Sequence, residues 1–233
     1  MVYTVTNREA EPFTYTITFS IRSEQGAAMA NTTETVGSVG AGRTVRRTLG
    51  AVTAPGVHGA GRVRIVDVKR VPSDEAPAPE GPCPASGLRL TADEGDAAMG
   101  LRVVGLRLQN CGSRPYSLSG YPVLGLLDED HEPVDGIEIV RGSGDIALMP
   151  HFDAPPRPVT LNPGQSASAG LMWRNTTGFG TAVEVPYVRV RARADAAPVM
   201  VAPDLDLGTT GRLGVSAWRK EAADGRRPVP PGP

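Results

Sequence analysis

The chain of 233 residues has few of the residue types that build most catalytic and metal-binding sites. It contains two cysteines, three histidines and two tryptophans, and aromatic residues make up 5% of the sequence. No stretch approaches the roughly 18 consecutive apolar residues that a membrane-spanning helix needs. The net charge of -1 provides no global field to attract nucleic acid or an anionic membrane. The sequence therefore predicts no membrane span in this chain and no nucleic-acid partner.

The motifs of several common chemistries are also missing. No Gly-x-Ser-x-Gly elbow occurs, and the segment GQSAS at 164–168 differs from it at the final position. The glycine clusters at 40–42 and 56–61 lack the spacing of a phosphate-binding loop. The cysteines match no zinc or redox motif, because neither has a second cysteine nearby. We therefore expect no cofactor, no bound metal and no enzymatic activity.

The most regular pattern lies near the N-terminus, where FTYTITFSIR alternates apolar and polar side chains from Phe13 to Arg22. A two-residue period places one row of side chains in a core and the other in water, so this segment is predicted to be a strand. Similar patterns predict strands over 2–6, 32–36, 43–49 and 62–68. An immunoglobulin-like sandwich usually has about seven strands. We therefore expect residues 1–72 to form an immunoglobulin-like β-sandwich that lacks at least one strand before Met1.

A second strand-rich region covers residues 83–222 and follows a proline-rich segment at 73–82, which is predicted to be a semi-rigid linker. Trp173 and Trp218 are predicted to lie in its core. Residues 223–233, rich in proline, are predicted to be a disordered tail. No segment shows a sustained helical period, so the predicted fold class is all-β, with two tandem immunoglobulin-like β-sandwich domains. The strands predicted in the second domain cover 88–90, 101–108, 123–127, 137–140, 159–161, 167–173 and 187–192.

Four segments of the second domain carry a family resemblance. They are CPASGLRL at 83–90, LRLQNCGSRPYSLSGYP at 106–122, LNPGQSASAGLMWRN at 161–175 and LDLGTTGRLGVSAW at 205–218. Together they resemble the actinobacterial family called Domain of Unknown Function 4232. The resemblance implies a secreted or lipid-anchored β-sandwich domain of the cell envelope with no established activity, whose export signal or lipid anchor is not present in this sequence. The first domain resembles short immunoglobulin-like modules of bacterial envelope proteins.

The two cysteines allow one internal disulfide, between Cys83 and Cys111. In the oxidising compartment that the resemblance implies, we expect this bond to form. The alternative is two unpaired thiols in a reducing cytoplasm.

Arg114, Tyr116 and Tyr121 lie on the loop that this bond would hold, and loops on a rigid sandwich often carry binding residues. We interpret these three residues as a candidate binding surface whose aromatic rings stack on sugars or on a protein. In the alternative interpretation, both tyrosines close the end of the core and their hydroxyls bind backbone groups.

Three functions remain open. The favoured one is a non-catalytic secreted or cell-envelope binding or adaptor protein, whose partner is an unknown protein or a cell-wall polymer. The second is an extracellular hydrolase or metal-dependent enzyme with a loop-built site in the second domain, suggested by His131, His151 and the carboxylates near them. In the third, the first domain docks another chain along an open sheet edge. The sequence does not set the oligomeric state.

Overall fold

The computed structural model describes residues 1–23, 26–50 and 62–222. The chain divides into two compact units, residues 1–76 and 77–233. All regular structure within the described residues is β, which confirms the predicted all-β class. The described part of the chain includes no helix of the length and apolarity needed to cross a membrane. The predicted tail at 223–233 and the glycine cluster at 56–61, with His58, lie outside the described residues.

The first unit contains five strands in its described residues, in two small sheets. They are β1 (Val2–Thr6), β2 (Phe13–Arg22), β3 (Ala28–Val39), β4 (Thr44–Thr48) and β5 (Arg62–Pro72). β1 pairs with β4, and β2 is the central strand of the sheet β3-β2-β5. The alternation in β2 predicts its buried face correctly, because the five apolar side chains from Phe13 to Ile21 are all buried. The core shared by the two sheets is completed by Tyr3, Val5, Val36, Val39 and Leu49.

Strand β5 lies at an edge of its sheet, as the third hypothesis requires. Within the described residues it pairs only with β2, and Ile65, Val66 and Val68 are 45%, 50% and 49% exposed. The register shifts at Val66, because Ile65 lies opposite Phe19 whereas Asp67 lies opposite Thr18. Bulges and charged side chains are features that limit pairing at edge strands. Strand β5 has such a bulge and also carries charged side chains beside its exposed apolar residues. Its basic residues are Arg62, Arg64, Lys69 and Arg70.

The second unit contains fourteen strands in its described residues, twice the number predicted. The seven that match predicted segments are β6 (Leu88–Ala92), β8 (Leu101–Asn110), β10 (Val123–Leu127), β11 (Glu138–Arg141), β12 (Val159–Leu161), β13 (Ser166–Arg174) and β15 (Tyr187–Arg191). The others have two to four residues each, too few to show a period. They are β7 (Asp96–Ala98), β9 (Tyr116–Leu118), β14 (Val183–Val185), β16 (Val199–Val201), β17 (Leu205–Gly208), β18 (Arg212–Val215) and β19 (Arg219–Lys220).

The sheets of the second unit share one hydrophobic core. A seven-stranded sheet has the order β11-β18-β13-β8-β6, with β19 paired to β13 and β7 to β8. The sheet β10-β15-β16 and the pairs β12-β9 and β14-β17 complete the unit. Trp173 and Trp218, predicted in the core, are 2% and 1% exposed. The predicted inward rows are also buried: Val104, Leu106 and Leu108 on β8, and Val188 and Val190 on β15, with Ala192 just beyond it.

Strand β13 is buried on both faces. Ala169, Leu171 and Trp173 face the main core, whereas Met172, on the other face, packs with Phe152 in a second, smaller cluster. The ring of Phe152 lies so close to Gly170 that a Cβ atom there would be 2.6 Å from the Phe152 Cζ. The segment that contains Phe152 is thereby held against the outer face of the seven-stranded sheet.

Asp206 on β17 ties the end of β13 to the neighbouring strands. Its carboxylate accepts hydrogen bonds from Trp173 Nε1 at 2.8 Å, Asn175 Nδ2 at 3.0 Å and Arg102 Nη2 at 3.3 Å. Burial by itself would raise the pKa of Asp206, but these hydrogen bonds and the Arg102 charge outweigh it and lower the pKa below the ordinary value. Asp206 is therefore held in its ionised form.

Candidate functional site

A disulfide between Cys83 and Cys111 joins two segments of the second unit, as the sequence predicts. The sulfur atoms are 2.02 Å apart and the Cα atoms 5.6 Å apart. Cys83 precedes β6 and Cys111 follows β8, and these two strands pair along their length. The bond therefore fastens the chain at the end of a strand pair that is already hydrogen-bonded.

Two glycines allow the joined backbones to approach each other closely. The N–H groups of Cys111 and Gly112 both donate to the carbonyl of Gly87, at 3.0 and 2.9 Å. A Cβ atom at Gly112 would lie 3.2 Å from the Gly87 Cα, and Gly87 has a φ of +74°, a conformation that favours glycine. A side chain at Gly112 would press against the Gly87 backbone, whereas a side chain at Gly87 would strain its left-handed backbone conformation.

Asn110 fixes the loop that follows the disulfide. Its buried side chain donates from Nδ2 to the carbonyls of Arg114 at 2.8 Å and Leu161 at 2.7 Å, and its Oδ1 accepts from the Gly112 N–H at 3.1 Å. These bonds connect the end of β8, the loop and β12. Sequence reasoning missed this residue, although a polar asparagine that ends an alternating strand was a visible signal.

The joined segments border an open cleft of about 410 Å³ lined by residues 83–88 and 110–116, which we call the disulfide cavity. Its volume falls within the range of small-molecule sites. Arg114 and Tyr116, two of the three predicted binding residues, both line it. Arg114 is exposed, so its guanidinium is accessible to a ligand.

Tyr116 is half-buried and packs against the main core of the second unit. The guanidinium of Arg193 lies over its ring, 5.0 Å from the centroid, in a cation–π contact. Its hydroxyl is buried and has no hydrogen-bond partner among the described residues. Burial raises the pKa of Tyr116, the charge of Arg193 opposes this rise, and Asp195 adds to it.

Tyr121 also packs against the main core but does not line the disulfide cavity. The guanidinium of Arg141 lies 5.3 Å from its ring centroid. The structure therefore brings Arg114 and Tyr116 together and places Tyr121 apart from them. One face of each tyrosine ring is covered by an arginine, so a sugar could stack only on the other face. Sequence reasoning missed both Arg141 and Arg193.

The two described histidines have different surroundings. His131 packs edge-on against Tyr187, with 4.7 Å between ring centroids, whereas His151 packs against Phe152. Hydrogen bonds from the Ser143 N–H and hydroxyl lower the pKa of Asp153, two residues after His151. Among the residues that the structure describes, no three His, Cys, Asp or Glu side chains are grouped to hold a metal ion.

Comparison with known proteins identifies the family of the second unit. Residues 83–219 match the family model described as Domain of unknown function (DUF4232). No curated protein and no solved structure shows significant similarity to the chain. The matched segment covers more than half of the 233 residues and contains both cysteines and the disulfide cavity. The chain therefore belongs to the DUF4232 family, as its four motifs predict.

Proposed function

We propose that this chain is a non-catalytic binding or adaptor protein of the cell envelope or extracellular space, and that the disulfide cavity is its ligand site. The observation that carries the proposal is that the exposed Arg114 and the half-buried Tyr116 line the same cavity, and that the buried Tyr116 hydroxyl has no hydrogen-bond partner among the described residues. An unsatisfied buried hydroxyl costs about 1–3 kcal/mol. A ligand recovers this free energy only if its binding uncovers the hydroxyl, which the free protein keeps out of solvent.

The rigidity of the cavity walls supports the proposal. The disulfide, the shared Gly87 carbonyl and the three hydrogen bonds of Asn110 fix the backbone on both sides of the cavity before any ligand binds. A preorganised site loses less conformational entropy on binding than a mobile loop does. Arg114 adds a positively charged donor that can bind carboxylates or phosphates in a bidentate manner.

The location outside the cytoplasm is supported by the disulfide, because such bonds persist in oxidising compartments and are rare where thiols are kept reduced. An immunoglobulin-like class for each unit is supported by sheets that share one core. The partner we infer is a protein or a polymer of an actinobacterial cell wall.

The non-catalytic part of the proposal is supported by the surroundings of Asp153, one of the carboxylates near His151 that suggested an enzyme. The Ser143 hydroxyl donates to Asp153 at 2.7 Å and not to a histidine, and Ser143 is 4% exposed. A serine nucleophile needs a histidine that accepts its proton and needs access to substrate.

The test is co-sedimentation with a purified actinobacterial cell-wall fraction, combined with cross-linking on the intact cell surface. Tyr116→Phe removes only the unpaired hydroxyl, so we expect thermal stability equal to or above that of the wild type and roughly three- to tenfold weaker recovery. Arg114→Gln should also weaken recovery, and Arg43→Gln, an exposed arginine of the first unit, is the matched control. Failure of the wild-type protein to recover any wall polymer or partner would contradict the proposal. If the Tyr116 and Arg114 variants both recover as much partner as the wild-type protein does, the disulfide cavity is not the ligand site.

A further inference from the structure

A second cavity lies at the start of β12, between residues 154–159 and 218–220, and nothing in the family match assigns it a role. It has a volume of about 430 Å³. One wall is the segment 154–159, which includes Arg157, and the other is formed by Trp218, Arg219 and Lys220. We call it the basic cavity. It shares no lining residue with the disulfide cavity.

The walls of the basic cavity are fixed by contacts that reach across the sequence. Arg219 and Lys220 pair with Ser168 and Ala167 of β13, so they extend the seven-stranded sheet. The Lys220 ammonium donates to the Thr160 carbonyl at 3.1 Å, which fastens β19 to β12. Trp218 beneath them is 1% exposed, and its Nε1 donates to the Ala192 carbonyl at 3.0 Å.

The opposite wall is held by the close fit of Phe152 against Gly170. Phe152 is buried, and Val159 enters the ladder between β12 and β9. Segment 154–158 is thus anchored at both of its ends. Arg157 is exposed and extends from this anchored segment.

The charge inside the basic cavity is not balanced by acidic side chains. No described carboxylate makes an ion pair with Arg157 or Arg219, and the residues that line the cavity include three basic and no acidic side chains. The nearest carboxylates in sequence are engaged elsewhere. Glu221 pairs with Arg107 at 3.1 Å, and Asp153 accepts from Ser143.

Other arginines of the same unit show a different arrangement. Four of them pair with carboxylates at 2.7 to 3.3 Å: Arg102 with Asp206, Arg107 with Glu221, Arg193 with Asp195 and Arg212 with Glu138. Arg157 and Arg219 differ from these four because they have no carboxylate partner among the described residues, and they line the same concave site. Guanidinium groups match the geometry of carboxylate and phosphate oxygens.

We infer that the basic cavity binds a ligand that carries oxyanions, with Arg157 and Arg219 as its two principal charged donors. Lys220 contributes a third positive charge, although part of its hydrogen-bonding capacity is used by Thr160. The shared chemistry is that of phosphate or carboxylate groups. The inference does not depend on the function proposed for the disulfide cavity, because the two sites have separate residues.

The test uses two probes, pyrophosphate for phosphate groups and citrate for carboxylate groups, titrated into the full chain by calorimetry. We expect at least one probe to bind wild-type protein, with affinity falling as salt rises from low to high ionic strength. The double variant Arg157→Gln/Arg219→Gln should bind at least about tenfold more weakly, because each lost charged hydrogen bond is worth about 1.5 kcal/mol or more. Binding of pyrophosphate alone would identify a phosphate ligand, and binding of citrate alone a carboxylate ligand.

The matched control is Arg43→Gln, which removes an exposed arginine of the first unit that lines neither cavity. We expect this variant to bind the probes as wild type does. If the double variant does not fold, Arg157→Gln alone replaces it, since Arg157 is exposed on a connecting segment. The inference would be overturned if neither probe binds wild-type protein, or if the variants of Arg157 and Arg219 bind the probes as tightly as wild type does.

Discussion

Removal of the disulfide should destabilise the second unit by an amount that follows from the loop it closes. Cys83 and Cys111 are 28 positions apart in the sequence. In the chain-entropy treatment, a loop of this length restricts the unfolded chain enough to contribute about 3.5 kcal/mol of stability near 25 °C. The variant Cys83→Ala/Cys111→Ala should lose about this free energy of unfolding. For a unit of this size the loss corresponds to about 10 °C in Tm.

The assay can follow the second unit by itself, because both tryptophans of the chain, Trp173 and Trp218, lie in it. Tryptophan fluorescence during urea unfolding therefore reports the second unit and not the first. Reduced wild-type protein should unfold like the double variant, and the double variant should not respond to reducing agent. Ser113→Ala, an exposed change in the same loop, is the control and should alter stability by less than about 0.5 kcal/mol.

Two results would refute this reasoning. One is a loss below about 1 kcal/mol in the double variant, which would mean that residual structure already restricts this segment of the unfolded chain as much as the bond does. The other is identical stability of oxidised and reduced wild-type protein, which would mean that the cysteines are not joined in solution.

Three further predictions concern residues that hold the strands of the second unit together. Gly170→Ala should lower the free energy of unfolding by about 1–3 kcal/mol, because its Cβ would lie 2.6 Å from the buried Phe152 ring. Gly125→Ala, whose nearest neighbour would be 3.7 Å away, is the control, and equal Tm values for the two variants would contradict the prediction. Asn110→Ala should cost about 2–3 kcal/mol in urea unfolding by leaving buried carbonyls without donors, and an unchanged midpoint would show that water replaces its amide. The lowered pKa of Asp206 stabilises the fold above the ordinary carboxyl pKa, and this stabilisation is lost as the pH falls through the folded-state pKa. The stability difference between wild type and Asp206→Asn should therefore shrink from pH 7 toward pH 3, and a constant difference would exclude this role.

The long alternating segments were predictable because their information is local. In β2 and β8 the two-residue period by itself separates buried from exposed side chains, and the structure places them accordingly. The seven short strands of the second unit were not predictable in this way. β18, for example, has four residues and becomes a strand because β11 and β13 lie on either side of it.

The candidate site residues, too, were predictable only where neighbouring residues in the sequence point to them. Cys83, Cys111, Arg114 and Tyr116 were identified from sequence, because two cysteines leave one internal pairing and the two other residues follow the second cysteine closely. The separation of Tyr121 from this group was not visible in the sequence. In the structure Tyr121 packs against the main core beside Arg141 and does not line the cavity.

The sequence by itself determined that this chain is an all-β member of the DUF4232 family with at most one internal disulfide, because side-chain alternation, motif order and cysteine number can all be read without knowing which strands pack together. The tertiary structure decided which arginines face carboxylates and which line a cavity. Arg157 and Arg219 are brought to the same cavity by the contact of Phe152 with Gly170 and by the pairing of Ser168 with Arg219. Such contacts join residues that are distant in the chain, so their charges meet only after the sheets have packed.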